Sequence, residues 1–378
     1  MTQITAPWIK DAAAQSVCRM LTDAGHQAWF VGGCVRNALL GEPVADLDLS
    51  TNAHPETVIA LAQASALKVV PTGIEHGTVT VIANDTPFEI TTFRRDVATD
   101  GRRATVVFAD NMADDARRRD FTMNALYAAP DGQIMDPLDG LADLRARRVR
   151  FIEDADQRIK EDYLRILRFF RFYAWYGDPN EGPDADGLAA CAAHLDGLQS
   201  LSIERVTAEM LKLLAAPDPA PAVASMAATG ALGQILPGAD AGILAVLVHH
   251  EQAHGFAVNP LRRLAVMGGT PKEDLRLSKD QVRYLDHING ALSPIEVSYR
   301  FGQSAGEDRL LVEAAALGQE IDTNTLQKVQ NAATNVFPLK AADLMPALTG
   351  PALGQALNEA EARWIASGFT LTKADLLD

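Results

Sequence analysis

Asp46-Leu47-Asp48 is the pattern in this chain best suited to hold a cation. Residues 46–50 (DLDLS) alternate strictly and read as a β-strand, so both carboxylates share one face and Leu47 and Leu49 the other. Two carboxylates that close repel, and a divalent cation removes the repulsion. Mg²⁺ suits such a site because it takes a few carboxylates and completes its shell with substrate phosphates. Read alone, a DxD strand is more often a solvated face. A third carboxylate, Glu89, lies in FEITTF, where Glu89 and Thr91 share a face opposite Phe88 and Ile90. If that strand neighbours 46–50, three carboxylates converge as two-metal phosphoryl transfer requires. Otherwise Glu89 is a solvent-facing strand residue.

The elements before the carboxylates strengthen the phosphate reading. Residues 27–31 (QAWFV) read as a buried strand, Gly32-Gly33 as a turn, and Cys34–Leu40 as a helix closed by Gly41. Glycines let the backbone approach an anion, and the helix N-terminus turns N–H groups toward it. Arg36 can add a bidentate charge. The alternative is a tight strand–helix turn with a solvated Arg; the GxGxxG dinucleotide spacing is absent.

Further along, Asp162, Arg165, Arg168 and Arg171 recur every three residues and predict one charged stripe on a helix, with Tyr163, Leu167, Phe170 and Ala174 as its core face. By itself the stripe reads as a solvated face with ion pairs. Arg205 and Glu209 stand one turn apart and read as a brace. Arg119 and Asp120 could hold a ribose hydroxyl or simply start a helix. His249-His250-Glu251 with His254 lacks the HExxH spacing, and a helix-end surface cluster is expected there.

The remainder bounds the class. The chain has 378 residues with a net charge of −15, yet residues 145–175 hold nine Lys/Arg against five Asp/Glu. A basic stripe on an acidic body can still hold a phosphate backbone. No apolar run is long enough to span a bilayer, and no secretory leader pattern opens the sequence. Cys18, Cys34 and Cys191 are too sparse for a disulfide framework or zinc site, so a reducing, cytoplasmic setting is expected. Mixed α and β signals fill the first 140 residues or so. Helical periodicity follows, broken near 177–187, 217–221 and 268–271. The expected class is α+β, a head with a small mixed sheet followed by an all-helical neck, body and tail.

FVGGCVRNALLGEPVADLDLST resembles the signature of the DNA polymerase β-like nucleotidyltransferases, and within them the bacterial/eukaryotic CCA-adding enzymes and poly(A) polymerases. Four further segments match in order: PTGIEHGTVTV at 71–81, the loop RRDVATDGRRATVVF at 94–108, RRDFTMNALY at 118–127, and EDYLRILRFFRF at 161–172. IERVTAEMLKLL at 203–214 is similar to the helix-bracing motif. The resemblance spans residue 28 to about 215. It implies a catalytic head (1–140), a neck with the base-reading helix (141–220), a body (221–300) and a tRNA-binding tail (301–378). It implies Asp46 and Asp48 as metal ligands, with Glu89 as a third catalytic carboxylate. Gly32, Gly33, Arg36, Arg119, Asp120, Asn124, Asp162, Arg165 and Arg168 would contact nucleotide. The implied reaction is addition of CCA from CTP and ATP to the 3′ end of tRNA, with Mg²⁺. Poly(A) polymerase or CC- or A-only addition is the rival within the class, and an RNA-binding paralogue the rival outside it. The segment at 71–81 lacks the basic character of the polymerases, and DGRRATV (100–106) is the loop associated with adding A. The family usually carries Asp where this chain has Asn37, whose neutral amide cannot form a salt bridge. The sequence names no protein partner.

Overall fold

In the computed structural model, residues 2–100, 103–345 and 347–377 are described. They form two compact units, Met1–Pro237 and Gly238–Asp378.

The first unit is built on a seven-stranded sheet ordered β3-β4-β5-β2-β1-β8-β9. Its strands are β1 (Trp29–Val31), β2 (Leu47–Thr51), β3 (Lys68–Gly73), β4 (Thr78–Ala83), β5 (Thr86–Thr92), β8 (Tyr127–Ala128) and β9 (Ile134–Met135). Strands β6 (Arg94–Asp100) and β7 (Arg103–Phe108) form a separate hairpin. Among the described strands only β2 and β5 pair in parallel, with Asp48 opposite Glu89 and Leu49 opposite Ile90. The pleat therefore sorts the chemistry. Leu49, Val79, Val81, Phe88 and Ile90 are buried, whereas Asp48 and Glu89 stand on the other face. Helices α1 (Ala12–Thr22) and α3 (Pro55–Ala64) pack against β4 and β5 and cover the apolar face. Asp11 caps α1 by accepting from Ala13 and Ala14 N–H, which fixes where that helix starts.

Helix α2 (Gly33–Leu40) follows β1 directly and ends at the left-handed Gly41, φ 75°. Helix α4 (Met112–Arg117) links the hairpin to the segment preceding β8. After β9 the described residues of this unit are helical or irregular, with α5 (Gly140–Arg145), α6 (Ala155–Glu161), α7 (Leu164–Tyr176), α8 (Ala185–Ala193), α9 (Ile203–Leu214), α10 (Ala220–Ala228) and α11 (Ala231–Ile235). Helix α7 buries Ile166, Leu167, Phe169, Phe170, Phe172 and Tyr173. Phe121 and Phe151 meet Phe169, and Phe121 also meets Phe172, so tilted and stacked aromatic rings join the segment before β8 and the one before α6 to this helix.

The second unit is all helix among its described residues, from α12 (Ala241–Ala253) and α13 (Pro260–Val266) through α14 (Pro271–Asp274), α15 (Lys279–Asn289), α16 (Pro294–Phe301), α17 (Gln303–Leu317), α18 (Thr323–Ala332), α19 (Ala341–Leu344) and α20 (Gly350–Ala366) to α21 (Lys373–Leu377). The His cluster expected at the surface is only partly there: His249 and His254 are exposed, but the two residues after His249 turn inward. His250 and Glu251 are each only 2% exposed, and Glu251 accepts from Arg262 and Arg263 while Arg262 also reaches Asp308. The buried anion answers two buried cations, which is why this end of α12 faces inward. No described helix is long and apolar enough to cross a membrane.

Candidate active site

Asp48 lies in β2, but Asp46 falls one residue before the strand, in the irregular segment that leads into it. Asp46 and Glu89 are exposed and Asp48 is half-buried. Burial, the neighbouring Glu89 and Asp46 push Asp48 up to about 6, against the pull of Arg119. A carboxyl raised by burial and by like charges is one that a cation would stabilise as carboxylate. No group of three or more His, Cys, Asp and Glu among the described residues forms a cage that could hold a metal unaided. The expected convergence of three carboxylates is therefore an open acidic face. That donor set suits a hard divalent cation whose shell is completed by water and phosphate oxygens.

Gly32 sits between β1 and α2 at φ +73°, a conformation that disfavours other residues, and a Cβ there would lie 3.5 Å from the Arg119 guanidinium. Helix α2 starts at Gly33, so its first N–H groups open on the same side. Arg119 is fixed from behind. It donates to Asp115 at 3.0 Å, to the Ser50 hydroxyl at 3.3 Å and to the Tyr127 hydroxyl at 3.3 Å. Asp115 is fully buried, pairs with Arg118 as well, and accepts from Tyr127 at 2.8 Å. Burial raises its pKa, but Arg119, Arg118 and the Tyr127 hydroxyl together hold it far below the usual carboxylate range. Sequence reasoning missed Asp115. Its i, i+4 spacing to Arg119 was a usable signal; nothing local signalled Ser50 or Tyr127.

A second chain of contacts runs through Asp120. Asn124 donates to it at 2.9 Å, and Arg168 of α7 forms an ion pair with it. Arg171 pairs with Glu209 of α9. Arg36 departs from expectation. It is 7% exposed and donates to Asn124, to the Asn37 side chain and to the Tyr176 hydroxyl at 2.8 Å, with its guanidinium 4.0 Å from the Tyr176 ring centre. It braces α2 to α7 and is not poised to clamp a phosphate. The Asn37 amide takes the acceptor place that a carboxylate would fill.

The expected pairing of Asp162 with Arg165 on one helix face also fails. Asp162 is extended, φ −155° and ψ 105°, in the break between α6 and α7. Its carboxylate accepts from Leu164 N–H at 3.1 Å and from Arg205 of α9 at 2.7 Å. Arg165 turns away to Glu161, to the Arg158 carbonyl and to the Arg118 carbonyl. Ion pairs also absorb Arg150, Arg158, Arg168 and Arg171, so the basic window is largely neutralised. Arg147, Arg148 and Lys160 are exposed and carry no ion pair among the described residues. Of the loop arginines, Arg102 lies with Gly101 outside the described residues.

The poly A polymerase head domain model matches residues 28–150, and a model described as a probable RNA and SrmB-binding site of polymerase A matches residues 184–243. A mitochondrial CCA tRNA nucleotidyltransferase 1 of Mus musculus is 30% identical over 96% of this chain and 88% of that protein. A CCA-adding enzyme of Streptococcus pyogenes is 41% identical over 60% of this chain, a match spanning 54% of that enzyme. Among solved structures, the Bacillus stearothermophilus CCA-adding enzyme in complex with CTP superposes with a TM-score of 0.74 at 27% identity, over 96% of this chain and 94% of that one. A Thermotoga maritima CCA-adding enzyme complexed with tRNA shares the fold, with a TM-score of 0.71 at 17% identity over 99% and 95% of the two chains.

Proposed function

Since the chain belongs to the family of CCA-adding tRNA nucleotidyltransferases, we propose that it adds C, C and A to the 3′ end of tRNA from CTP and ATP. One observation carries the reading. Parallel pairing sets Asp48 beside Glu89 on the open face of the sheet, next to a left-handed glycine turn that faces a fixed arginine. A divalent metal suits this face, and we assign Mg²⁺, held by Asp46 and Asp48 with Glu89 alongside. Bound there, it would activate the attacking hydroxyl and neutralise charge on the transferring phosphoryl group.

The chain's own residues do the rest. Gly32 and the first turn of α2 offer N–H groups to the triphosphate, and Arg119 adds charge without needing to reorganise. Asp120 and Asn124 orient the ribose while Arg168 holds Asp120 in place. Asp162 accepts from the base amino group that cytosine and adenine share. We keep the division into head, neck, body and tail at 140, 220 and 300 as a functional one, with the tail on tRNA, and assign the cytoplasm as the compartment. Three buried free cysteines support a reducing setting. The hairpin carrying residues 94–106 is assigned to the final A.

Incubating the purified chain with tRNA trimmed of its 3′ end, with CTP alone, ATP alone or both, tests the proposal. CTP alone should give products ending in CC, and both should give CCA. Runs of A from ATP alone, or no extension at all, would overturn it.

A further inference from the structure

The open face of the sheet continues beyond Glu89. Thr80 of β4 stands directly opposite Glu89, as Glu89 does opposite Asp48, so pairing carries all three onto one face. Val70 of β3 pairs in turn with Thr80, and Lys68 with Ile82. Thr72 joins the same side, its hydroxyl 2.9 Å from that of Thr80. A row therefore crosses the sheet from Asp48 to the outer strand β3, about 14 Å at the usual strand spacing. Lys68, Val70 and Thr72 are exposed and Thr80 is half-buried. Lys68 carries no ion pair among the described residues.

The chemistry of this row suits a sugar-phosphate strand. The paired hydroxyls of Thr72 and Thr80 use one proton between them and keep another to donate, with lone pairs left to accept. Such a pair can hold a ribose hydroxyl or a phosphate oxygen without neutralising Asp48 and Glu89. A lysine at position 80 would quench them. The cation stands further out, at Lys68, where a phosphate can meet it. In-line transfer decides which strand lies here, because the attacking and leaving oxygens stand on opposite sides of the transferred phosphoryl group. Gly32, α2 and Arg119 lie on the β1 side of β2, and on the proposed reading they hold the triphosphate and its leaving end. The attacking hydroxyl must then arrive over β5 and β4. Resting on that reading, we infer that Thr80, Thr72 and Lys68 are positioning residues for the 3′ strand of tRNA. Thr80 and Thr72 hold the sugar-phosphate of its terminal nucleotide, and Lys68 meets a phosphate further back.

Thr80→Val keeps the branched shape and removes the hydroxyl. At saturating CTP, kcat/KM for trimmed tRNA should fall about threefold to tenfold, the factor of one hydrogen bond. KM for CTP should stay within about twofold, because the triphosphate contacts are untouched. Thr80→Ser retains a donor and acceptor and should keep kcat/KM within about twofold of wild type. In filter binding without nucleotide, Lys68→Ala should flatten the log–log salt dependence of trimmed-tRNA affinity by about 0.7, the share of one phosphate on a single strand. Thr80→Val with wild-type kcat/KM for trimmed tRNA would overturn the inference, as would a loss that falls on KM for CTP instead. An equal loss in Thr80→Ser would mark a packing role and overturn it too, and so would an unchanged salt slope in Lys68→Ala. A wild-type chain that binds trimmed tRNA but extends nothing would sink the proposed function, and the Lys68→Ala slope would still judge the strand contact.

Discussion

Asp162→Asn separates base choice from architecture, because the structure assigns the two roles different sizes. In the fold, one carboxylate oxygen caps Leu164 N–H at 3.1 Å and the other accepts from Arg205 at 2.7 Å. The side chains of Asp162 and Arg205 are 27% and 30% exposed, so their ion pair contributes only about 0.2–1 kcal/mol. Asparagine keeps the cap and turns an amide toward Arg205, donor against donor. The unit should lose less than about 1 kcal/mol and melt no more than about 4 °C lower. At the base the same change inverts the pattern. A carboxylate accepts from the N4 amino group of cytosine or the N6 amino group of adenine, and opposes O4 of uracil and O6 of guanine. Each mismatch costs about 1–3 kcal/mol in a dry pocket, roughly fivefold to a hundredfold in selectivity. The amide of the variant can donate to O4 or O6, so use of UTP and GTP relative to CTP and ATP should rise by that factor. Competition between nucleotides on trimmed tRNA, with melting followed in parallel, measures both. A variant that rejects UTP and GTP as well as wild type would show that Asp162 only anchors Arg205.

Asp46→Ala and Asp48→Ala should each cut addition by more than about a hundredfold with tRNA binding retained, as filter binding beside a primer-extension assay would show. Asp115 and Asp120 both have folded pKa values below their unfolded ones, through Arg119 and Arg118 in one case and Arg168 and Asn124 in the other, despite burial. Their stabilisation is complete above about pH 4 and is lost as the pH falls further, so the melting temperature of the first unit should drop steeply below that point. Asp115→Asn leaves Arg118 and Arg119 unbalanced and should cost about 3–5 kcal/mol at neutral pH, read by thermal melts. The exposed cations of the neck that lack an ion pair predict a modest salt effect, with tRNA affinity falling roughly thirtyfold between about 50 and about 200 mM salt; a flat titration would move the RNA contact away from Arg147, Arg148 and Lys160.

The local patterns in the sequence carried far. Alternation placed Asp48 and Glu89 on polar strand faces, and the Gly32-Gly33 turn with Gly41 bounded α2 to within a residue. Helical periodicity marked the change of character after β9. What failed was inference from spacing to partnership. Asp162, Arg165, Arg168 and Arg171 repeat every three residues, but the backbone leaves the helix at Asp162, so the first two never share a face. Arg36 looked available because nothing nearby in sequence opposes it; Asn124 and Tyr176 reach it from far along the chain. The local charge count over 145–175 misled for the same reason, since Glu209 and Asp120 neutralise arginines that the sequence shows as a basic run.

The strand order has a consequence for how the protein is made. β1 lies between β2 and β8, and Val31 pairs with Tyr127, while Gln3 bridges to Gln133. The oldest part of the nascent chain must therefore wait for β8 and β9 to leave the ribosome before the sheet can close. Until then β1 presents an open edge, guarded by its shortness of three residues. The second unit leans more on nearby sequence, since α16 packs on its immediate successors α17 and α18, although α12 also meets α17 and Arg262 reaches Asp308. Synthesis thus sets a slow, long-range step first and fast, local steps afterwards. Ribosome-bound chains stopped before about residue 125 should be open to protease throughout the head, and chains stopped far enough beyond 135 should be resistant.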